Sequence, residues 1–413
     1  MLRINRFGLF LVVVVATIGA LLIGCARPTI PPELEPVGPT PLEREYQALM
    51  VEPGLVRSDL VLNPWQKGDK WMLQKPDGTS FRVGHLEIFQ QTDCQTDSSS
   101  WLKDLVKRAG GQDIFFDPAG DPTKQLAWLE DNLAMGGFDG LIAIPADQGM
   151  LAPVLEEYYE AGTTTIMWEL SVKTDKITSF VRRGFLGEEG ANLMGEQMVE
   201  WARERGPFTL LEVWGTPAHE TSRERHQGFR NVVDQYPELI TVIESTPAEF
   251  NPDKATSICM DAVTANPEIN ACYTHGGDAG GCAKGFDAVG RLVPTGEPGH
   301  ITYISVDQDN IIADLVDRKL LDGCSSHSST DSVDVCFKVL IEHMVLGNEI
   351  PKDVQMPLTM LTQENINTEM KWGALACWAK YPKGRWDLRP PYDTTEIGIR
   401  TPTIEDREES LGY

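Results

Sequence analysis

From Phe81 onward the chain alternates short apolar runs with longer amphipathic stretches, and that rhythm leaves few folds open. "FRVGHLEIF" is followed by a helical pattern around Trp101 to Ala109. Then come "DIFF", "PTKQLAWLEDNLAMG", "DGLIAIP", "MLAPVLEEYYEAG" and "TTTIMWE". Short apolar runs separated by helical periods are the signature of βαβ units that build parallel sheets. Gly110, Gly136 and Gly162, one after each helical stretch, fit C-terminal caps. After "KITSFVRRGF" a second half repeats the rhythm, with helices at "GEEGANLMGEQMVEWARERG", "SRERHQGFRNVVDQYP" and "PDKATSICMDAVTANP" and strands at "FTLLEVW", "LITVIES", "INACYTH" and "ITYISVD". The expected fold class is therefore α/β, as two doubly wound parallel-sheet lobes. Ligands of such sheets sit outside the carboxyl ends of the strands, so two ends facing each other make a cleft.

The 413 residues suffice for two or three domains. The first 24 do not read as fold. "MLRINRFGLFLVVVVATIGALLIGC" places Arg3 and Arg6 before an apolar run from Phe7 to Ile23, the form of a secretory signal, and "LIGC" matches the bacterial lipobox, which makes Cys25 the lipidated first residue. A transmembrane anchor is the competing reading of the same run. Both place the body outside the cytoplasm, held to a membrane. Residues 25–44 are proline-rich and form an extended tether. A net charge of -25 with no basic run argues against nucleic acid and anionic headgroups as partners. Seven cysteines remain after Cys25. The odd number leaves at least one thiol outside any disulfide, and "SICMDAV" and "DVCFKVL" read as buried thiols.

"GTPAHETSRERHQGF", Gly215 to Phe229, gathers His219, His226, Arg223, Arg225 and the two glutamates Glu220 and Glu224. Its opening resembles the zinc motif H-E-x-x-H, but His219 and His226 stand seven residues apart, roughly 10 Å along a helix. Both ligands of one zinc must come within about 2.1 Å of it, so no metal site is expected. There is also no G-x-S-x-G elbow, no P-loop and no C-x-x-C. No catalysis and no cofactor are expected.

"GDPTKQLAWLEDNLAMGGFDGLIAIPAD", "GTPAHETSRERHQGF", "TPAEFNPDKA", "ISVDQDNI" and "DRKLLDGCSSHS" resemble, in serial order, segments of the periplasmic sugar-binding proteins of the ribose-binding type. The likeness covers about Phe81 to Ile366. It implies two α/β lobes joined by three hinge strands, with lobe 1 from 81–185 plus 326–355 and lobe 2 from 186–325 plus 356–366. Residues 45–80 and 367–413 are then extensions, the second packed on the body. The resemblance further implies a monomer that closes on a sugar or polyol and hands it to the permease of an ABC importer. A sensor presenting its ligand to a kinase or chemoreceptor is the alternative.

The resemblance also nominates ligand residues. In "QQTDCQ", where the family has an asparagine and aromatics, the chain offers Gln91 and Asp93 with no aromatic, which departs from a ribose site. Glu169 falls on the family's aspartate, the following arginine is Leu170, and Trp168 is either a stacking platform or core. Arg223 falls on the ligand-binding arginine, Phe250 on the aromatic and Asp307 on the strand-end aspartate. In "THGGDAGGCAKG" the match lies between Gly276 and Asp278, with Asp278 preferred for its hydroxyl-binding carboxylate. At the crossover strand it lies between Ser326 and His327, with His327 preferred for reach.

Thr221 and Glu224 fit a capping box, which starts a helix at Thr221 with Arg223 in its first turn. Phe229, Val232, Val233 and Tyr236 mark its core face, and Arg225 and His226 are expected to pack or pair. Arg223→Ala should then abolish ligand-induced stabilisation and Arg225→Ala should spare it. The carboxylates suit a neutral sugar, while Trp168 among them suits a cation.

Overall fold

The computed structural model describes residues 63–90, 93–182, 187–217, 220–307, 310–326, 329–357, 359–364, 394 and 397–410. The signal segment, the lipobox with Cys25 and the proline-rich tether lie outside them. Among the described residues no helix is long and apolar enough to cross a membrane.

Two six-stranded sheets organise the chain. Lobe 1 is built on β3 (Arg82–Leu86), β4 (Gln112–Phe116), β5 (Gly140–Ala143), β6 (Thr164–Trp168), β7 (Ser179–Arg182) and β13 (Asp353–Gln355), in the order β13-β7-β6-β5-β3-β4. Every pair is parallel. Helix α1 (Asp93–Arg108) packs with α9 (Ser329–Met344) over one face, while α2 (Pro122–Ala134) and α3 (Ala152–Glu160) cover the other. Because both faces are covered, β5 and β6 are buried at every position and read as continuous apolar runs.

Lobe 2 repeats the plan. Its strands are β8 (Phe208–Val213), β9 (Ile240–Glu244), β10 (Ala271–Thr274), β11 (Thr302–Ser305), β12 (Gly323–Ser326) and β14 (Thr359–Thr362), ordered β14-β12-β11-β10-β8-β9, with only β14 antiparallel. Helices α4 (Glu188–Arg205) and α5 (Glu220–Val233) cover one face. The other lies under α6 (Pro252–Ala265), α7 (Ala279–Ala288) and α8 (Asn310–Asp317). Asn251 caps α6, its side chain accepting from the N–H groups of Asp253 and Lys254, and Asp121 does the same for α2. The chain changes sheet between β7 and α4, between β12 and α9, and between β13 and β14.

The two extensions meet on lobe 1. A small hairpin of β1 (Gln66–Lys67) and β2 (Lys70–Trp71) brings Trp65, Met72 and Leu73 into the core, with Trp65 edge-on to Phe337 of α9 at 5.0 Å. Over the hairpin lies α10 (Ile404–Ser410), whose Arg407 donates to the carbonyls of Trp71 and Met72. Beneath it the fully buried Lys338 pairs with Asp334 at 3.3 Å and reaches Thr394. Trp101 donates to the same Asp334 at 2.9 Å. A buried ammonium is tolerated only when paired and hydrogen-bonded, and here the C-terminal segment supplies part of that satisfaction.

Cys259, Cys272, Cys282, Cys324 and Cys336 are buried free thiols. The side chain of Cys94, and Cys377, lie outside the described residues.

Candidate functional site between the lobes

An open cleft of about 1220 Å³ runs between the lobes. Lobe 1 contributes the loops after β5 and β6, with Asp147, Glu169 and Lys173, and lobe 2 the starts of α4 and α5, with Glu188, Arg223 and Glu224. The nominated residues thus fall into two groups. Glu169 and Arg223 line the open cleft, whereas Phe250, Asp278 and Asp307 gather beside the carboxyl ends of β10 and β11 and are not part of its described lining. Gln91 and His327 lie outside the described residues. Asp93 opens α1, and its side chain is likewise outside them.

The second group is organised by Arg225. Its guanidinium, almost wholly buried, donates to Asp307 Oδ2 at 3.2 Å and to the carbonyl of His275. Its Nε is buried without a hydrogen-bond partner. Gly276 is required there, because at φ 151° a Cβ would stand 2.9 Å from Arg225 Nη1 and 3.5 Å from the Phe250 ring. Glu169, Phe250 and Asp307 all occupy the left-handed backbone region, at φ 64°, 55° and 76°. Such conformations cost of order 1–3 kcal/mol each and cluster at ligand sites. Ser325 Oγ accepts the Asp307 N–H at 2.7 Å and fixes that turn.

Behind Arg225 stands a buried acid flanked by two bases. Glu212 Oε1 is met by His226 Nδ1 at 2.9 Å and His275 Nε2 at 3.0 Å. The Gly215 N–H donates to His275 Nδ1 at 3.3 Å, which makes Nε2 the protonated nitrogen of a neutral ring. Burial opposes the Glu212 charge, but the two imidazole hydrogen bonds outweigh it and hold the carboxyl below its ordinary range. Burial keeps His275 below its own.

Two expectations change. Helix α5 begins at Glu220, so Thr221 lies within its first turn. Arg223 points to the exposed side and donates to the Pro217 carbonyl at 3.0 Å. Arg225, two residues and about 200° further round, faces inward. It does pair, as expected, but as the centre of the strand-end group. Trp168 is 1 % exposed and packed in the lobe 1 core, so it offers no ring face to a ligand. Asp278, at the head of α7, is fully buried, with neither carboxylate oxygen hydrogen-bonded. Among the described residues no group of three or more histidine, cysteine, aspartate or glutamate side chains is placed to hold a metal ion.

Residues 99–349 match the model of the periplasmic binding protein domain. The chain belongs to this family. Ribose import binding protein RbsB of Bacillus subtilis is 24% identical over 263 residues, 63% of this chain and 80% of that protein. The D-ribose/D-allose-binding protein of Pseudomonas aeruginosa is 21% identical over 252 residues, 59% of this chain and 75% of that one. An ABC transporter solute-binding protein from Burkholderia graminis, solved in complex with D-arabinose, superposes with a TM-score of 0.61. It is 15% identical and covers 71% of this chain and 99% of its own. These relatives are binding proteins, and the shared fold is the two-lobed type I architecture of periplasmic binding proteins. The hairpin at 66–71 and helix α10 lie outside the matched segment.

Proposed function

We propose that this chain is a lipid-anchored extracytoplasmic receptor that closes around a sugar or polyol between its lobes and delivers it to an ABC importer. The observation that carries the reading is the Arg225–Asp307 pair, set against Gly276 and Phe250 at the strand ends of lobe 2. A guanidinium and a carboxylate fixed side by side offer donors and acceptors in the pattern that vicinal hydroxyls require. Phe250 adds an apolar surface for a ring face. Hinge closure carries Glu169 toward this group, and Gln91, Asp93 and His327 are the further ligand residues of this proposal. Relatives that bind ribose or allose support the ligand class, and the apolar run ending in Cys25 supports the anchor. Residues 81–185 with 326–355, and 186–325 with 356–366, are the proposed lobe boundaries.

Thermal shift against a panel of sugars and polyols tests the reading, since a ligand at 100 times its Kd adds about 2.7 kcal/mol. Arg225→Ala is expected to abolish the shift and Arg223→Ala to keep most of it. A panel that moves the melting temperature nowhere would sink the proposal.

A further inference from the structure

Among the described residues, Asp278 is a buried carboxylate with neither oxygen hydrogen-bonded. It follows Gly276 and Gly277 at the head of α7, is fully buried, and has both carboxylate oxygens without a partner. Burial pushes its pKa up to about 7, with Arg225 opposing and Asp307 reinforcing the shift. Both charges that act on it therefore belong to the strand-end group. Arg225 is committed to Asp307 and the His275 carbonyl, so one guanidinium serves two carboxylates. Cys259, Cys272 and Cys282 also lie within electrostatic reach of Asp278, but burial pushes their thiols well up, and as neutral groups they bring no counter-charge. The open cleft repeats the imbalance. Its described lining holds six carboxylates against three cations, and one of those, Arg182, is bound to Asp353 at 2.6 Å.

Resting on the receptor reading above, we infer that the ligand carries a protonated amine beside its hydroxyls, as an amino sugar or amino polyol does, and that Asp278 is the carboxylate that receives it. An ammonium brought against Asp278 supplies the missing positive charge and up to three donors for the two empty oxygens. The unpartnered Nε–H of Arg225 is left to donate to a neighbouring hydroxyl. An acetylated amine keeps the ring and hydroxyls but loses the charge, so discrimination between the two forms reports on Asp278 directly.

The test compares D-glucosamine and D-galactosamine with their N-acetyl derivatives and with D-glucose, D-galactose and D-ribose, by thermal shift and calorimetry on the intact mature chain. The free amines are expected to bind roughly 10- to 100-fold tighter than their N-acetyl forms. Asp278→Asn should bring that ratio close to one. Neutral sugars binding as well as the amines overturns the inference and leaves the receptor reading intact, whereas binding of none of these compounds counts against that reading itself. An amine preference that survives Asp278→Asn removes the role from this residue. If the variant does not fold, the wild-type ratio of amine to N-acetyl form still decides the ligand class.

Discussion

The two lobes share one plan but bury opposite polar clusters. In lobe 1 a base sits between acids: His85, 2 % exposed, lies 3.2 Å from Asp113 and 3.4 Å from Glu87, and Ser99 donates to the same Glu87. In lobe 2 an acid sits between bases, with Glu212 held by His226 and His275. Lobe 1 also buries Lys338 with Asp334, under the terminal segments. The difference separates two tasks. Lobe 1 keeps buried cations where α1, α9 and the extensions must be held in place. Lobe 2 keeps its polar groups in a file that runs from the buried Glu212 through the neutral His275 and Arg225 to the half-buried Asp307, ending where a ligand is to be met.

The sharpest way to break this comparison is to remove the buried lysine. Lys338→Met takes the ammonium away from the buried Asp334, with Trp101 still donating to it, and is expected to destabilise lobe 1 by about 3–5 kcal/mol. Hydrogen exchange followed peptide by peptide should show the loss in α1, α9 and the hairpin at 66–71, with α6 and α7 unchanged. Equal loss in both lobes would mean that they unfold as one unit. Glu212→Leu ranks second. It leaves the buried His275 N–H without an acceptor, a cost of about 1–3 kcal/mol, and should appear in lobe 2. Ligand affinity should fall with it if the file of contacts positions Arg225.

Acidity provides a third, non-mutational contrast. Burial works against a charged His85, but hydrogen bonds to Asp113 and Glu87 outweigh it and hold the ring above its ordinary value. A group raised on folding stabilises below its unfolded pKa, about 6.5 for histidine, and that contribution is lost as pH rises through the folded value. His275 and Glu212 are lowered, so their contributions hold above about 6.5 and about 4.3 and are lost only as pH falls. Asp278, raised to about 7, acts in the opposite sense between about 3.9 and 7 and is complete above that. Raising the pH above about 7 should therefore weaken lobe 1 as it passes through the raised folded value of His85, by at most about 1.4 kcal/mol per unit for one proton, and leave lobe 2 level once Asp278 has titrated. His85→Gln should flatten the lobe 1 slope. A slope that persists in the variant assigns it to another group.

The double α/β fold was legible because both faces of each sheet are covered, so strands and crossover helices carry different periods. The exchange of segments between lobes rested on resemblance alone, since no local pattern reports which sheet a strand joins. At the site, Glu169, Phe250 and Asp307 come from the family resemblance, and all three sit in the left-handed backbone region. The choice between Arg223, which lines the open cleft, and Arg225, which pairs with Asp307, turns on helix phase, because two residues on a helix point to opposite sides and a capping signal places a start only to within a residue or two. Trp168 was ambiguous for a related reason. A strand buried on both faces gives no alternation to tell its end from its core.

The terminal cap was the least legible part, since its contacts join residues more than 300 positions apart. It also sets the smallest test of the comparison. Thr394 is 1 % exposed, receives the Lys338 ammonium at 3.3 Å and donates to the carbonyl of Ile399. Thr394→Val preserves its shape and removes both bonds, so about 0.5–1.5 kcal/mol is expected to be lost from lobe 1. The change should loosen α10 and the hairpin together, because Arg407 ties them. Faster exchange in α10 with an unaltered hairpin would show that the two extensions are held separately, and that Lys338 anchors only one of them.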